Sequence, residues 1–416
     1  MSLESRARLN PCVLIYTEKC VSGAVPDAKR LAIYLGAFIG PLSGNAVLAL
    51  VPTLKGEFNA TAPDVLVSIS FFMIPFAFFT LFSGTISDVY DRKKTVAAGF
   101  TIYAVGSLLC SASVDLNMFL LSRTVQGLGY GFVNPVLVAI LGDIVPFKDR
   151  GKAMGYLGAA TTTGIALGPF VAGFIAIINW RFMFIVVATL VLLVGLFFSL
   201  AFKGTTFERG GGGFTSVLGS LGRTARQRSV ALLSLAGFLT FMCYVATLSF
   251  ISDTLSLDPL SLSESDIGIV MATTGVAGIV AAPMGGKMVD RLGRYTTATI
   301  GFVIIILAFS LLTFSSTVGH HTGSLAVLGV GTAITWSALL TLTVEVLPEQ
   351  RGTTSSLFNG ARFFGYALAP MIFAPVYTSL GIHSIYYASI ALATGAMLVT
   401  LLIRLNHREP RFTESQ

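Results

Sequence analysis

Charge is scarce in this chain: only 11% of its 416 residues are Asp, Glu, Lys or Arg, while 54% are apolar and the mean hydropathy is +0.80. An ordinary soluble domain carries about 25% charged residues, so the deficit excludes one and implies a polytopic membrane protein. Acids are the rarer sign, 20 against 27 bases, and none falls in the middle of an apolar run. That argues against a strongly cation-selective pocket. Of four cysteines, Cys12 and Cys20 lie in a polar N-terminal stretch, and Cys110 and Cys243 in apolar runs. Their spacing gives neither a metal site nor a disulfide framework, so they read as free thiols, with no metal or cofactor expected. No set of nucleophile, base and acid is present, which argues against an enzyme. The net charge of +7 comes without a nucleic-acid-binding motif, so it implies contact with anionic membrane lipid and no nucleic-acid partner. No cleavable leader pattern is found, so the first span is expected to stay as an anchor.

What is present is apolar length. Stretches of roughly 20 residues, enough to cross about 30 Å of hydrocarbon, occur twelve times, at about 31–52, 65–84, 95–113, 118–141, 153–177, 182–202, 229–251, 266–285, 296–315, 323–344, 354–378 and 384–403. They divide the chain into a tail (1–30), a six-helix bundle (31–202), a linker (203–228), a second bundle (229–404) and a short tail (405–416). All Lys and Arg except Lys55, Arg123, Arg181 and Arg362 fall on the side of the two tails, which predicts cytoplasmic termini in a cell membrane. The linker holds four consecutive glycines, Gly210 to Gly213, and then an apolar and basic stretch. It reads either as a short helix on the inner leaflet or as a solvated connection. Three histidines, His320, His321 and His383, read as residues of outer loops.

The most informative pattern is a charged turn that occurs twice. Gly84, Asp88, Arg92, Lys93 and Lys94 are matched by Gly286, Asp290, Arg291, Gly293 and Arg294, with Asp88 and Asp290 202 residues apart, as are Arg92 and Arg294. Each half also places an acid at the inner end of its fourth span, Asp143 and Glu345. The sets Asp88, Arg92, Asp143 and Asp290, Arg294, Glu345 would either latch the inner ends in one state or only fix topology.

On these residues the chain resembles the major facilitator superfamily, whose signature between spans two and three is Gly-x-x-x-Asp-(Arg)-x-Gly-Arg-Lys. The second copy fits; the first has Val89 and Asp91 where Arg and Gly are usual. Arg123, Gln126 and Gly127 resemble the family's Arg-x-x-Gln-Gly motif, and Gly164, Gly168, Pro169 and Gly173 resemble the glycine-rich motif of its antiporters. The resemblance implies an all-α fold of twelve transmembrane helices in two pseudo-symmetric six-helix bundles. It also implies alternating access, export of amphipathic organic compounds in exchange for protons, and a monomer.

Arg123 is costly in lipid unless it meets backbone carbonyls, a proton-sensing partner or substrate. Gly164, Gly168 and Gly173 allow close helix packing, and Pro169 allows bending. If spans one, four, seven and ten line a cavity as the resemblance implies, they present Asn45, Tyr130, Asn134, Phe241, Tyr244, Thr335 and Trp336, a mixture suited to a small amphipathic solute. Arg362, midway along span eleven, favours an anionic or zwitterionic group if it faces the cavity; otherwise Asn359 or lipid headgroups would satisfy it. The coupling proton is assigned to Asp143, Asp253 or a network including Arg123 and Asp88. An organic-anion facilitator or importer and a non-transporting sensor are the alternatives.

Overall fold

A computed structural model describes residues 27–89, 91–146, 149–205, 207 and 214–406, with the backbone course alone at 27, 82–89, 151, 214–218, 348 and 406. Nearly all of the two tails, with Cys12 and Cys20, lies outside the described residues, as does the side chain of Asp88. Among the described residues, twelve helices are long and apolar enough to cross a membrane. In order they are Asp27–Glu57, Ala62–Val89, Arg92–Ser111, Leu116–Ile144, Arg150–Ala176, Trp180–Ala201, Arg228–Ser256, Glu264–Leu292, Arg294–Thr313, Val318–Glu345, Arg351–Leu380 and Ile382–Asn406, spans one to twelve below. Each predicted apolar stretch coincides with one of them. Most helices run several residues further, because hydropathy counting stops at the first charges while the backbone ladder continues through them.

Caps fix several of the ends. Asp115, Asn179, Ser263 and Thr317 each accept a backbone N–H at the start of spans four, six, eight and ten. Asp91, which interrupts the first charged signature, accepts from the N–H groups of Lys93 and Lys94 and caps span three. Its counterpart Gly293 turns the chain into span nine with φ of 79° and no side-chain cap. The two copies of the turn start their helices differently: Asp91 has φ of −61° and caps with its carboxylate, whereas Gly293 takes the positive φ that glycine tolerates.

The histidines are a correction. His320 and His321 belong to the first turns of span ten and His383 to the first turn of span twelve, and His321 is buried. Thr317 begins the helix three residues before His320 by capping it, which loop reasoning from polarity missed.

An even number of crossings returns both ends to one face, here the terminal face; the opposite one is the distal face. Within the first half, span one packs on spans five and six, span four on spans two and three, and span three on span six. The second half repeats each packing: seven on eleven and twelve, ten on eight and nine, nine on twelve. Between halves the main contacts are span five with eight and span two with eleven, and these exchange under the same correspondence. The sequence repeat is therefore a pseudo-twofold relation of two six-helix bundles. The linker forms a helix, Phe214–Ala225, and the Thr224 hydroxyl bonds the Gln350 side chain at the terminal end of span eleven.

Candidate functional site

Two arginines lie inside the membrane-spanning region, and their surroundings differ. Arg123 in span four is fully buried. Its Nη1 donates to the Gln126 Oε1 at 2.7 Å and to the Ser43 carbonyl at 3.4 Å, Nη2 to the Gly44 carbonyl at 3.3 Å, and Nε to the Ser68 carbonyl at 3.4 Å. The Phe72 ring lies 4.5 Å away. Gln126 passes the network on to Ser107 of span three through a 2.8 Å bond. Gly127 and Gly106 make this closeness feasible: a Cβ on Gly127 would stand 2.0 Å from the Phe72 carbonyl, and one on Gly106 2.6 Å from the Gln126 nitrogen. Arg123 thus ties spans one, two and four together through backbone carbonyls. Arg123→Leu is expected to cost about 2–4 kcal/mol, from lost charged hydrogen bonds and carbonyls left without a donor, read as a lower unfolding temperature in detergent.

Arg362 in span eleven is surrounded by rings. Its guanidinium carbon lies 4.1 Å from the Phe363 centroid, 4.3 Å from Trp336 and 4.7 Å from Phe241. Its Nε is buried without a hydrogen-bond partner. Asn359 donates to the Ser355 carbonyl, and the ion pairs among the described residues all form elsewhere. From Phe363 an aromatic path crosses into the first half, to Phe76 at 4.6 Å and from there to Tyr130 at 4.9 Å. One turn on from Arg362, the Tyr366 hydroxyl donates to Asn45 Oδ1 at 2.8 Å, bridging the halves.

The structure therefore brings together Asn45, Tyr130, Trp336 and Arg362 of the expected site and adds Phe76, Phe363 and Tyr366. Tyr244 stands next to this group, its ring 6.3 Å from that of Phe241. Asn134 lies half-buried one turn further along span four. Thr335 is fully buried and turned toward Gly301 of span nine.

On the distal face the halves are clamped. Asp253, only 4% exposed, pairs with Lys55 at 2.5 Å and accepts from Tyr377 at 2.8 Å. Thr53 bonds Glu264 at 2.7 Å, and the Ser252 hydroxyl bonds the Leu48 carbonyl. Span one of the first half is thereby fastened to spans seven and eight of the second, with span eleven joined through Asp253. A separate cleft of about 220 Å³ on this face is lined by residues including His321, His383 and Tyr386, away from the central residues.

On the terminal face the expected charges pair within each half. Arg92 bonds Asp143, and Arg294 meets Glu345 at 2.7 Å. Each pair joins the start of a third span to the end of a fourth. Asp290 is exposed outside its pair, and Asp88 falls outside the described side chains. In span five, the glycines serve two neighbours. A Cβ on Gly164 would stand 2.3 Å from the Phe38 carbonyl and one on Gly168 2.5 Å from that of Leu42, both in span one; on Gly173 it would stand 2.3 Å from the Glu264 carbonyl of the other half. The Pro169 carbonyl touches Gly268, also across the interface.

Comparison with known proteins follows from this geometry. The family model described as Major Facilitator Superfamily matches residues 33–259 and 230–416. An Acurin A biosynthesis cluster MFS-type transporter from Aspergillus aculeatus is 27% identical, over 82% of this chain and 74% of that one. Multidrug resistance protein 1 from Bacillus subtilis is 24% identical, over 87% of this chain and 92% of that one. The crystal structure of a D-xylose-proton symporter superposes with a TM-score of 0.74 at 16% identity, covering 91% of this chain and 97% of that one; at that identity the likeness bears on fold.

Proposed function

This chain belongs to the Major Facilitator Superfamily, and we propose that within it the protein is a secondary active transporter that exports amphipathic organic compounds from the cytoplasm in exchange for protons. The observation that carries the reading is the central aromatic group at the interface of two pseudo-symmetric bundles, where Trp336, Phe241 and Phe363 are half-buried, Phe76 and Tyr130 pack behind them, and only a few polar groups interrupt the rings. A body with an apolar part and one polar end fits such walls; a sugar, needing many hydrogen-bond partners, does not. A relative named as an efflux pump, Efflux pump dotC of Dothistroma septosporum, supports efflux as the direction.

The distal clamp supplies the conformational element. With the terminal face cytoplasmic, as the basic residues imply, the outer ends of the halves are held together, and opening outward requires the Lys55–Asp253 pair to part. Asp253 is the better proton carrier of the two acids considered, because it is buried at the moving interface while the Asp143 side chain is 53% exposed. Uptake of a proton by Asp253 in the outward-open state would neutralise it before the halves close, and loss of that proton to the inward-facing side would let it pair with Lys55 again.

The test is transport into vesicles containing the purified protein, with an imposed pH gradient and a panel of lipophilic cations, neutral compounds and anions. Gradient-dependent accumulation abolished by a protonophore is the expected result. Binding without movement across the membrane, for every compound bound, would replace the transporter with a sensor on the same fold.

A further inference from the structure

An arginine inside a membrane keeps its charge and needs something to satisfy it. Arg123 has three carbonyls, a glutamine and a ring; Arg362 has rings alone. Three aromatic faces hold the Arg362 guanidinium in place, but a ring accepts no in-plane N–H bond, and the buried Nε has no acceptor. No carboxylate among the described residues neutralises it, and the Asn359 Nδ2 donates to the Ser355 carbonyl, with no hydrogen bond between Asn359 and Arg362 among the described residues. Phe241, Trp336, Phe363 and Arg362 are all half-buried, so the group remains accessible.

We propose that Arg362 is the seat of an anionic group, so that the transported compound is an amphipathic organic anion: an apolar or aromatic body ending in a carboxylate, sulfonate or phosphate. The oxygens would take guanidinium N–H groups, among them the Nε–H that has no acceptor, as charge-assisted bonds. The body would lie against Trp336, Phe241 and Phe363. A cation gains no such partner, and with no acid beside Arg362 it meets only like charge. This inference rests on the proposed transport function and names its substrate class.

The chain has two tryptophans, and only Trp336 touches Arg362. Trp180 packs against Phe58, Phe119 and Phe184 elsewhere, so Trp180→Phe leaves Trp336 as the sole tryptophan, read by selective excitation of its indole. In that background the purified full chain is titrated with 4-phenylbutane-1-sulfonate, 4-phenylbutan-1-ol and 4-phenylbutan-1-amine, which share a body and differ in charge. The sulfonate is expected to bind at least about tenfold more tightly than the amine, and Arg362→Gln to weaken it by about tenfold or more with the alcohol little changed. Arg362→Lys, which keeps the charge, is expected to retain the preference for sulfonate and guards against a glutamine variant that fails to fold. Equal or tighter binding of the amine, or sulfonate binding indifferent to Arg362→Gln, overturns the proposal.

Competition by dihexanoyl phosphatidylglycerol would identify a lipid headgroup as a carrier of the anionic group, and its absence a soluble acid; the anion seat stands in both cases. Vesicle transport separates this inference from its premise. Gradient-driven movement of the alcohol or amine with no Arg362-dependent sulfonate binding ends the anion assignment alone. Sulfonate binding at Arg362 with no movement of any compound ends the transport reading and leaves the anion site.

Discussion

Asp253→Asn is expected to abolish gradient-driven accumulation while leaving gradient-free equilibration of substrate measurable. The reason lies in what the substitution keeps. Asparagine has the shape of aspartate and still accepts from Tyr377, so the fold within the second half is preserved. It removes the charge that holds Lys55 and the group that takes up a proton. The Lys55 side chain is 26% exposed against 6% for Asp253, so the released ammonium reaches water and the variant avoids the roughly 3–5 kcal/mol cost of stranding a fully buried charge. The distal-closed state loses stability relative to the open one by an amount of the order of 1–3 kcal/mol, the usual size of a conformational coupling. Lys55→Gln is expected to weaken closure in the same direction but to retain a response to the pH gradient, because the Asp253 carboxylate stays in place. Wild-type accumulation by Asp253→Asn at equal protein levels would remove Asp253 from the coupling step.

The second large effect is expected at Gly173. A valine there places its Cβ 2.3 Å from the Glu264 carbonyl, closer than real packing permits, and the atom it meets is backbone of the other half. The bundles are then wedged apart on the distal face, so transport falls by tenfold or more, consistent with about 1–3 kcal/mol of overpacking directed at one state. Stability of each half should hold, since the closest atoms belong to Glu264 and Ser265. Gly168→Val makes the contrast: its Cβ meets the Leu42 carbonyl at 2.5 Å and Asn45 Cβ at 3.3 Å, within one half, so it should lower the unfolding temperature as well as transport. Gly158→Val, in the same helix with no neighbouring atom within 4 Å, is the control. Identical thermal and transport profiles for all three would show that span five has no division between a static and a moving face.

The bilayer made much of this architecture legible in the sequence. Apolar length marked each span because backbone polar groups in lipid leave little choice but a helix, and the 202-residue offset of the charged turns announced the two halves. Helix ends were harder to place: Asp91 and Thr317 act through caps, a local hydrogen bond that hydropathy does not register. Pairings between distant segments were harder still. Lys55 and Asp253 are 198 residues apart, and each alone looks like an ordinary charge at a helix end. Arg123 left open a choice between backbone carbonyls and a sensing role, because its carbonyl acceptors lie in spans one and two. Tyr366 carried a usable signal that went unread: it stands four residues beyond Arg362, hence on the same helix face. On the terminal face Arg92 pairs with Asp143 and Arg294 with Glu345, and both pairs join neighbouring helices of one half.

The central claim is that the two bundles must part on the distal face in every transport cycle. It is tested most directly by linking Thr53→Cys to Glu264→Cys, whose native side chains are hydrogen-bonded across the interface, with a short bifunctional thiol reagent that reduction cleaves. Cys12 and Cys20 are replaced by serine; Cys110 and Cys243 are buried. The linked protein is expected to bind substrate from the terminal face but to move none, with transport restored on reduction. Undiminished transport by fully linked protein would contradict it.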